Sequence, residues 1–105
     1  QIVSSLPTKS DLFVSNSMPI RDIDTFLLPT EKDVKIFANR GANGIDGVMS
    51  TAIGFSKGRI DRNMYLLIGD LAFLHDVNAL VATRYQPCNL TVFLLNNDGG
   101  GIFSF

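Results

Sequence analysis

Two apolar runs in this chain end abruptly on oxygen-bearing turns. Leu66-Leu67-Ile68 stops at Gly69-Asp70, and the run from Leu90 to Leu95 stops at Asn96-Asn97-Asp98-Gly99-Gly100-Gly101. Buried strands that end this way in an open parallel sheet bring their turns side by side, and ligands gather outside the carboxyl ends of such strands. Asp70 supplies a carboxylate, Asn97 an amide oxygen, and the bend at Gly99 a free backbone carbonyl. A small set of hard oxygens suits Mg2+, which keeps several waters and takes much of its coordination from a phosphate. Read alone, Asp70 is more simply a cap on the apolar helix that follows, worth about 1 kcal/mol.

Other residue types add to this picture. Arg40 directly follows a buried run, whereas Arg21 lies on an amphipathic helical pattern and by itself reads as a solvated surface charge. Guanidinium groups bind carboxylates through two parallel hydrogen bonds, so paired arginines suit acidic substrates. Gly41, Gly44 and Gly47 fall at three-residue intervals, which permits close backbone approach to a ligand, but they do not fit Gly-x-Gly-x-x-Gly. Ile45, Ile102 and Phe103 are apolar at loop positions, where core packing alone is the ordinary explanation. His75, the only histidine, stands beside Asp76 in an apolar helical stretch; a structural role there outweighs that of a base. Cys88, the only cysteine, has neither a disulfide partner nor the Cys or His neighbours of a zinc site, and reads as a small apolar residue near a strand start.

Gly69-Asp70, with Asn96-Asn97 following and Asn97 standing 27 positions after Asp70, resembles the signature of thiamine-diphosphate enzymes, Gly-Asp-Gly and then Asn-Asn. Leu71 stands where most members carry the second glycine. With Asn16-Ser17, the stretch Asn39-Arg40-Gly41-Ala42-Asn43-Gly44-Ile45-Asp46-Gly47 and the stretch Asn97-Asp98-Gly99-Gly100-Gly101-Ile102-Phe103, the chain is similar to one branch of that family, the 2-succinyl-5-enolpyruvyl-6-hydroxy-3-cyclohexene-1-carboxylate synthases of menaquinone biosynthesis. The matches run from about Leu12 to Phe105.

The resemblance implies a transferase that uses thiamine diphosphate and Mg2+ (or Mn2+), decarboxylating 2-oxoglutarate and adding the succinyl unit to isochorismate. It makes Asp70, the Asn97 side chain and the Gly99 carbonyl the metal ligands. Gly69, Asp70, Leu71, Ala72, Asn97, Ile45 and Ile102 become cofactor residues, Ile45 propping the cofactor in a bent form and the start of the helix at Leu71-Ala72 offering N–H groups to the diphosphate. Ser17, Arg21, Arg40, Ile102 and Phe103 become substrate residues. No catalytic residue is assigned, because the family's activating glutamate belongs to another domain, on the partner subunit. Glu31, the only glutamate here, is a poor substitute, and the chain alone is expected to be inactive. The full-length enzyme is expected to be a cytoplasmic homodimer or homotetramer. Two alternatives remain: another thiamine-diphosphate enzyme of the acetolactate-forming class, which Leu71 and the Asn-Arg-Gly-Ala-Asn-Gly-Ile-Asp stretch disfavour, and a non-catalytic α/β module that binds a phosphate or a protein partner.

Composition agrees with a buried-core domain: hydrophobic residues make up 46% and charged residues 18% of 105, too apolar for a disordered tail. A net charge of −1 gives no electrostatic footprint for nucleic acid or an anionic membrane. No apolar run approaches the roughly 20 residues that span a bilayer. The start at Gln1 and the end at Phe105 read as the cut ends of a longer polypeptide. Residues 1–105 are thus expected to be one partial domain, the diphosphate- and metal-binding domain of a multidomain chain.

The elements that position these residues follow from periodicity. Residues 1–10, broken by Pro7, read as a polar lead-in, with Ser10 and Asp11 as turn or cap residues. Strands are expected at 12–15, 34–38, 64–68 and 90–95, and helices at 18–28, from 46 to about 57, and at 71–81. Ser17 and Gly58 are the expected helix caps, and the 71–81 helix is apolar almost all round, implying burial on most of its circumference. Strands alternating with helices predict an α/β fold: an open parallel sheet of about four strands with helices on both faces.

Overall fold

Short runs rich in Val, Ile, Leu and Phe, each bounded by turn residues, make the sheet. The computed structural model describes residues 1–41 and 43–104; Ala42, in the glycine-rich stretch, and Phe105 lie outside the described residues. In chain order the elements are α1 (Ile2–Ser5), β1 (Ser10–Val14), α2 (Met18–Phe26), β2 (Val34–Ala38), α3 (Val48–Lys57), β3 (Asn63–Gly69), α4 (Asp70–His75), a 3-10 turn (Val77–Leu80), α5 (Val81–Tyr85), β4 (Leu90–Leu95) and a closing 3-10 turn (Gly101–Phe103). The sheet is entirely parallel in the order β2-β1-β3-β4.

Alternation along the central strands divides the core in two. Phe13, Leu66 and Ile68 face α3 and Ala72 of α4, while Leu12, Val14 and Leu67 face α1 and α2. Helices therefore cover both faces, as the alternating pattern requires. The chain leaves β1 toward β2 on one side and β3 toward β4 on the other. The order of strands reverses between β1 and β3, the point at which α/β sheets bind ligands.

Several expectations are corrected. The lead-in is not merely polar: Ile2–Ser5 forms a helical turn, and Val3 and Leu6 are buried against the sheet. Lys32 Nζ secures it by donating to the carbonyls of Ser4 (2.6 Å) and Leu6 (3.0 Å). Ser10 and Asp11, expected as turn residues, already lie in β1. The 71–81 segment is not one buried helix but α4, a 3-10 turn and α5, with only Ala72 buried on α4 and Leu74 63% exposed. The break falls at Asp76, which leaves helical geometry (φ −123°, ψ 24°). Its carboxylate accepts from the backbone N–H (2.7 Å) and hydroxyl (3.0 Å) of Ser50, satisfying an amide in the first turn of α3 that has no partner within its own helix. Both expected caps stand at their positions: Gly58 is the C-cap of α3, with right-handed dihedrals and its N–H donating to the Phe55 and Ser56 carbonyls, whereas Ser17 is the N-cap of α2 but makes no side-chain cap bond.

At the amino edge of the sheet, Arg62 binds three strands together. Its Nε donates to Asp11 of β1 (2.6 Å), its NH1 to Asp33 just before β2 (2.7 Å), and its NH2 to the carbonyl of Ser10 (3.0 Å). Arg59 reaches the second Asp11 oxygen at 3.3 Å and lies over the rings of Phe37 and Phe55. The hydrogen bond from Arg62 holds the Asp33 carboxyl below its ordinary 3.8. A depressed carboxyl contributes stability that is complete above its unfolded value and lost as pH falls through the folded one. The gap in unfolding midpoint between the unmodified chain and Asp33→Asn should therefore be open at neutral pH and close as pH drops below 3.8. Arg62→Ala should lower the melting temperature well beyond Lys35→Ala, and Arg62→Lys should not restore it, because an ammonium cannot span both carboxylates in one plane. Equal melting of all these variants would refute the brace.

Candidate functional site

Parallel pairing of β3 with β4, Gly69 opposite Leu95, sets Asp70 beside the Asn96-Asn97 turn. The turn closes on itself: Asn96 Oδ1 accepts from the N–H of Asp98 at 3.0 Å, and Asp98, Gly99 and Gly100 take left-handed φ values of 60°, 85° and 69°. It also leans on α4, since a Cβ on Gly99 would lie 3.6 Å from Leu71 Cδ2. Asn97 folds over Gly101, where a Cβ would come within 2.7 Å of its amide nitrogen, so a larger residue there would displace the Asn97 side chain. Asp70 is half-buried, and its Oδ1 accepts from the N–H of Leu71 at 2.9 Å. The Leu71 amide is thus already partnered by its neighbour. The predicted metal and cofactor residues Gly69, Asp70, Leu71, Asn97 and Gly99 lie on these two touching turns, while Ala72 is buried in the core behind them.

A second concavity opens beyond the carboxyl ends of β1 and β2. This cavity, about 440 Å³, is lined by Asn16, Ser17, Ile20, Arg21, Asp24, Arg40, Asn43, Ile45 and Ile102. It gathers Ser17, Arg21, Arg40, Ile45 and Ile102 of the expected set. Ile102 arrives on the loop that has just passed Leu71, so one loop joins the oxygen-rich turns to the arginine-lined cavity. Phe103 is not in the lining and is 80% exposed.

The walls are held by amides. Asn16, buried at the end of β1, accepts from Arg40 NH1 at 2.8 Å and donates from its Nδ2 to the carbonyl of Gly44 at 2.7 Å. Asn39 donates to the hydroxyl of Thr51 (3.1 Å), which donates to the carbonyl of Gly47 (2.7 Å), so the other end of the glycine-rich loop is tied to α3. Asn16 and Asn43 stand out in the sequence only as parts of motifs, and Asp24 not at all, because sequence spacing does not show which side chains converge across strands. Ser15, at the same edge, is buried with a hydroxyl that lacks a hydrogen-bond partner among the described residues. His75, expected in a buried helix, is exposed in the last turn of α4. Cys88 packs half-buried against the α3-side core, in keeping with its apolar reading.

Residues 25–104 match the family described as thiamine pyrophosphate enzyme, C-terminal TPP binding domain. The chain is 70% identical over 105 residues to the 2-succinyl-5-enolpyruvyl-6-hydroxy-3-cyclohexene-1-carboxylate synthase of Lysinibacillus sphaericus (strain C3-41), covering 100% of this chain and 18% of the relative. It is 56% identical over 100 residues to the synthase of the same name from Listeria welshimeri, covering 95% of this chain and 17% of the relative. The corresponding protein of Geobacillus kaustophilus (strain HTA426) is 53% identical over 105 residues, covering 100% of this chain and 18% of that protein. The chain spans less than a fifth of the length of these curated relatives.

Ser17 carries backbone strain at the mouth of the cavity, with φ 72° and ψ −138° in a region suited to glycine. Such conformations cost on the order of 1–3 kcal/mol. Ser17→Gly is expected to raise the unfolding free energy by roughly 1 kcal/mol, measured by denaturant titration. An unchanged or lowered midpoint would show that the hydroxyl stabilises more than the strain costs.

Proposed function

The chain belongs to the thiamine pyrophosphate enzymes, as a C-terminal cofactor-binding domain, and on that premise we propose that it serves a menaquinone-pathway synthase. The reaction in this reading is decarboxylation of 2-oxoglutarate and transfer of the succinyl unit to isochorismate. Its main support is the placement of Arg21 and Arg40 with Ser17 in one cavity, joined by a single loop to the turn that bears Asp70. The 70% identity to a synthase of that name points the same way.

The two turns fit a divalent cation and a diphosphate. A carboxylate, an amide oxygen and a backbone carbonyl on adjoining loops are the donor set Mg2+ accepts, with phosphate and water completing its shell. In this reading Asp70, Asn97 and the Gly99 carbonyl hold Mg2+ or Mn2+. Thiamine diphosphate, when bound, supplies the carbanion-stabilising chemistry that loss of carbon dioxide from a 2-oxo acid requires. The chain's own residues do the rest of what is assigned here. Arg21, Arg40 and the Ser17 hydroxyl bind substrate carboxylates, and a guanidinium is suited to that by its planar fork of donors. Ile45 and Ile102 keep water from the reacting centre. Glu31 lies exposed and outside the cavity lining, so the proton-handling glutamate comes from another part of the enzyme or from a partner subunit in a homodimer or homotetramer. Among the described residues, no helix is long and apolar enough to cross a membrane.

Calorimetry on the protein that carries this chain tests the reading. Thiamine diphosphate should bind only with Mg2+ or Mn2+ present, Asp70→Ala should abolish that dependence, and Asn97→Ala should weaken binding by roughly tenfold to a hundredfold. Unaltered affinity in Asp70→Ala would refute the metal site, and failure of the unmodified protein to bind thiamine diphosphate would favour a phosphate- or partner-binding module.

A further inference from the structure

We propose that Asn16 is a positioning residue that fixes Arg40 for an acidic substrate without lowering the charge of its guanidinium. The proposal rests on the reading of the cavity as a carboxylate site. Asn16 is 4% exposed, whereas Arg40 is on the surface, so the amide is the fixed partner and the long side chain the tethered one. Its two ends do opposite work: Oδ1 accepts from Arg40 NH1 at 2.8 Å, and Nδ2 donates to the Gly44 carbonyl at 2.7 Å. The carbonyl bond sets which way the amide faces, and so presents oxygen to the guanidinium. Gly44 immediately precedes Ile45, which lines the same cavity. One side chain therefore sets the guanidinium and the apolar wall in register with each other.

The choice of amide over acid carries the argument. A carboxylate at this position would hold Arg40 more tightly, but its negative charge would offset the guanidinium and repel an incoming carboxylate. It would also turn an acceptor toward the Gly44 carbonyl, which needs a donor. Only a neutral side chain with both a donor and an acceptor meets these conditions at this length.

The test uses the protein that carries this chain, assayed with thiamine diphosphate, Mg2+, 2-oxoglutarate and isochorismate. Asn16→Ala should raise the KM of the carboxylate substrate bound by Arg40 by roughly tenfold and change kcat less. Added to Arg40→Ala, it should cost little more, because its effect acts through that arginine. Asn16→Asp, nearly the same size, should raise KM at least as much; it carries the test should the alanine variant fail to fold. If Asn16→Ala and Arg40→Ala are additive, or if Asn16→Asp leaves KM unchanged while lowering the melting temperature, Asn16 is merely structural and the proposal fails. If the unmodified protein neither turns over nor binds these acids, the functional reading fails instead and takes this inference with it.

Discussion

Arg62 meets Asp11, Asp33 and the Ser10 carbonyl where β1, β2 and β3 begin. A parallel sheet has no hairpins to hold neighbouring strands in register, and each connection must cross the sheet before the next pairing forms. A planar guanidinium bound to two adjacent strands and lying next to the start of a third supplies that alignment at one end. Ser10, Val34 and Asn63 stand opposite one another in the two ladders, at the level of this cluster. Once the amino ends are level, strands of similar length finish at similar heights, and their exit loops meet at the carboxyl edge. The site thus depends on an ion cluster at the other end of the sheet.

The strand order determines which loops meet. β1 and β3 are central and neighbours, so the loop after β1, with Asn16 and Ser17, lies beside the turn that opens α4 at Asp70. β4 on the outside returns its loop across the edge, passing Leu71 at Gly99 and reaching the cavity at Ile102. Left-handed φ at Asp98, Gly99 and Gly100 is what allows so sharp a return, and glycine carries little strain there. The glycines of this loop therefore serve topology as much as ligand access.

Much of this was legible in the chain. The strands at 34–38 and 90–95 coincide with Val34–Ala38 and Leu90–Leu95, because each is a short run dominated by apolar and β-branched residues, interrupted in the first only by Lys35, between turn signals. The carboxyl-edge residues could be named because a parallel α/β pattern sends every strand exit to the same side. What could not be read depended on tertiary partners. The apolar content of 71–81 gave no sign that Asp76 would leave the helix to bind Ser50. Val3 and Leu6 were hidden by their polar neighbours, although Leu12, Val14 and Leu67 needed cover. Asp11 looked like a turn residue because its partner lies 51 positions away, beyond any local periodicity.

The two edges of the sheet treat charge in opposite ways. At the amino edge, Asp11, Asp33, Arg59 and Arg62 neutralise one another, and Asp11 and Arg62 do so out of water. At the carboxyl edge, Asn16, Asn39 and Asn96 hold the loops through neutral hydrogen bonds to backbone or side chains. An amide offers a donor and an acceptor while adding no charge, so it can shape a loop without altering the field a ligand meets. Had further carboxylates or lysines held these loops, each would have altered the balance of charges already at the edge: Arg21, Asp24 and Arg40 on the cavity side, Asp70 and Asp98 on the turns. In the proposed reading this edge serves acids through Arg21 and Arg40 and a cation through Asp70, and asparagine hydrogen bonds help to hold its loops without adding charge.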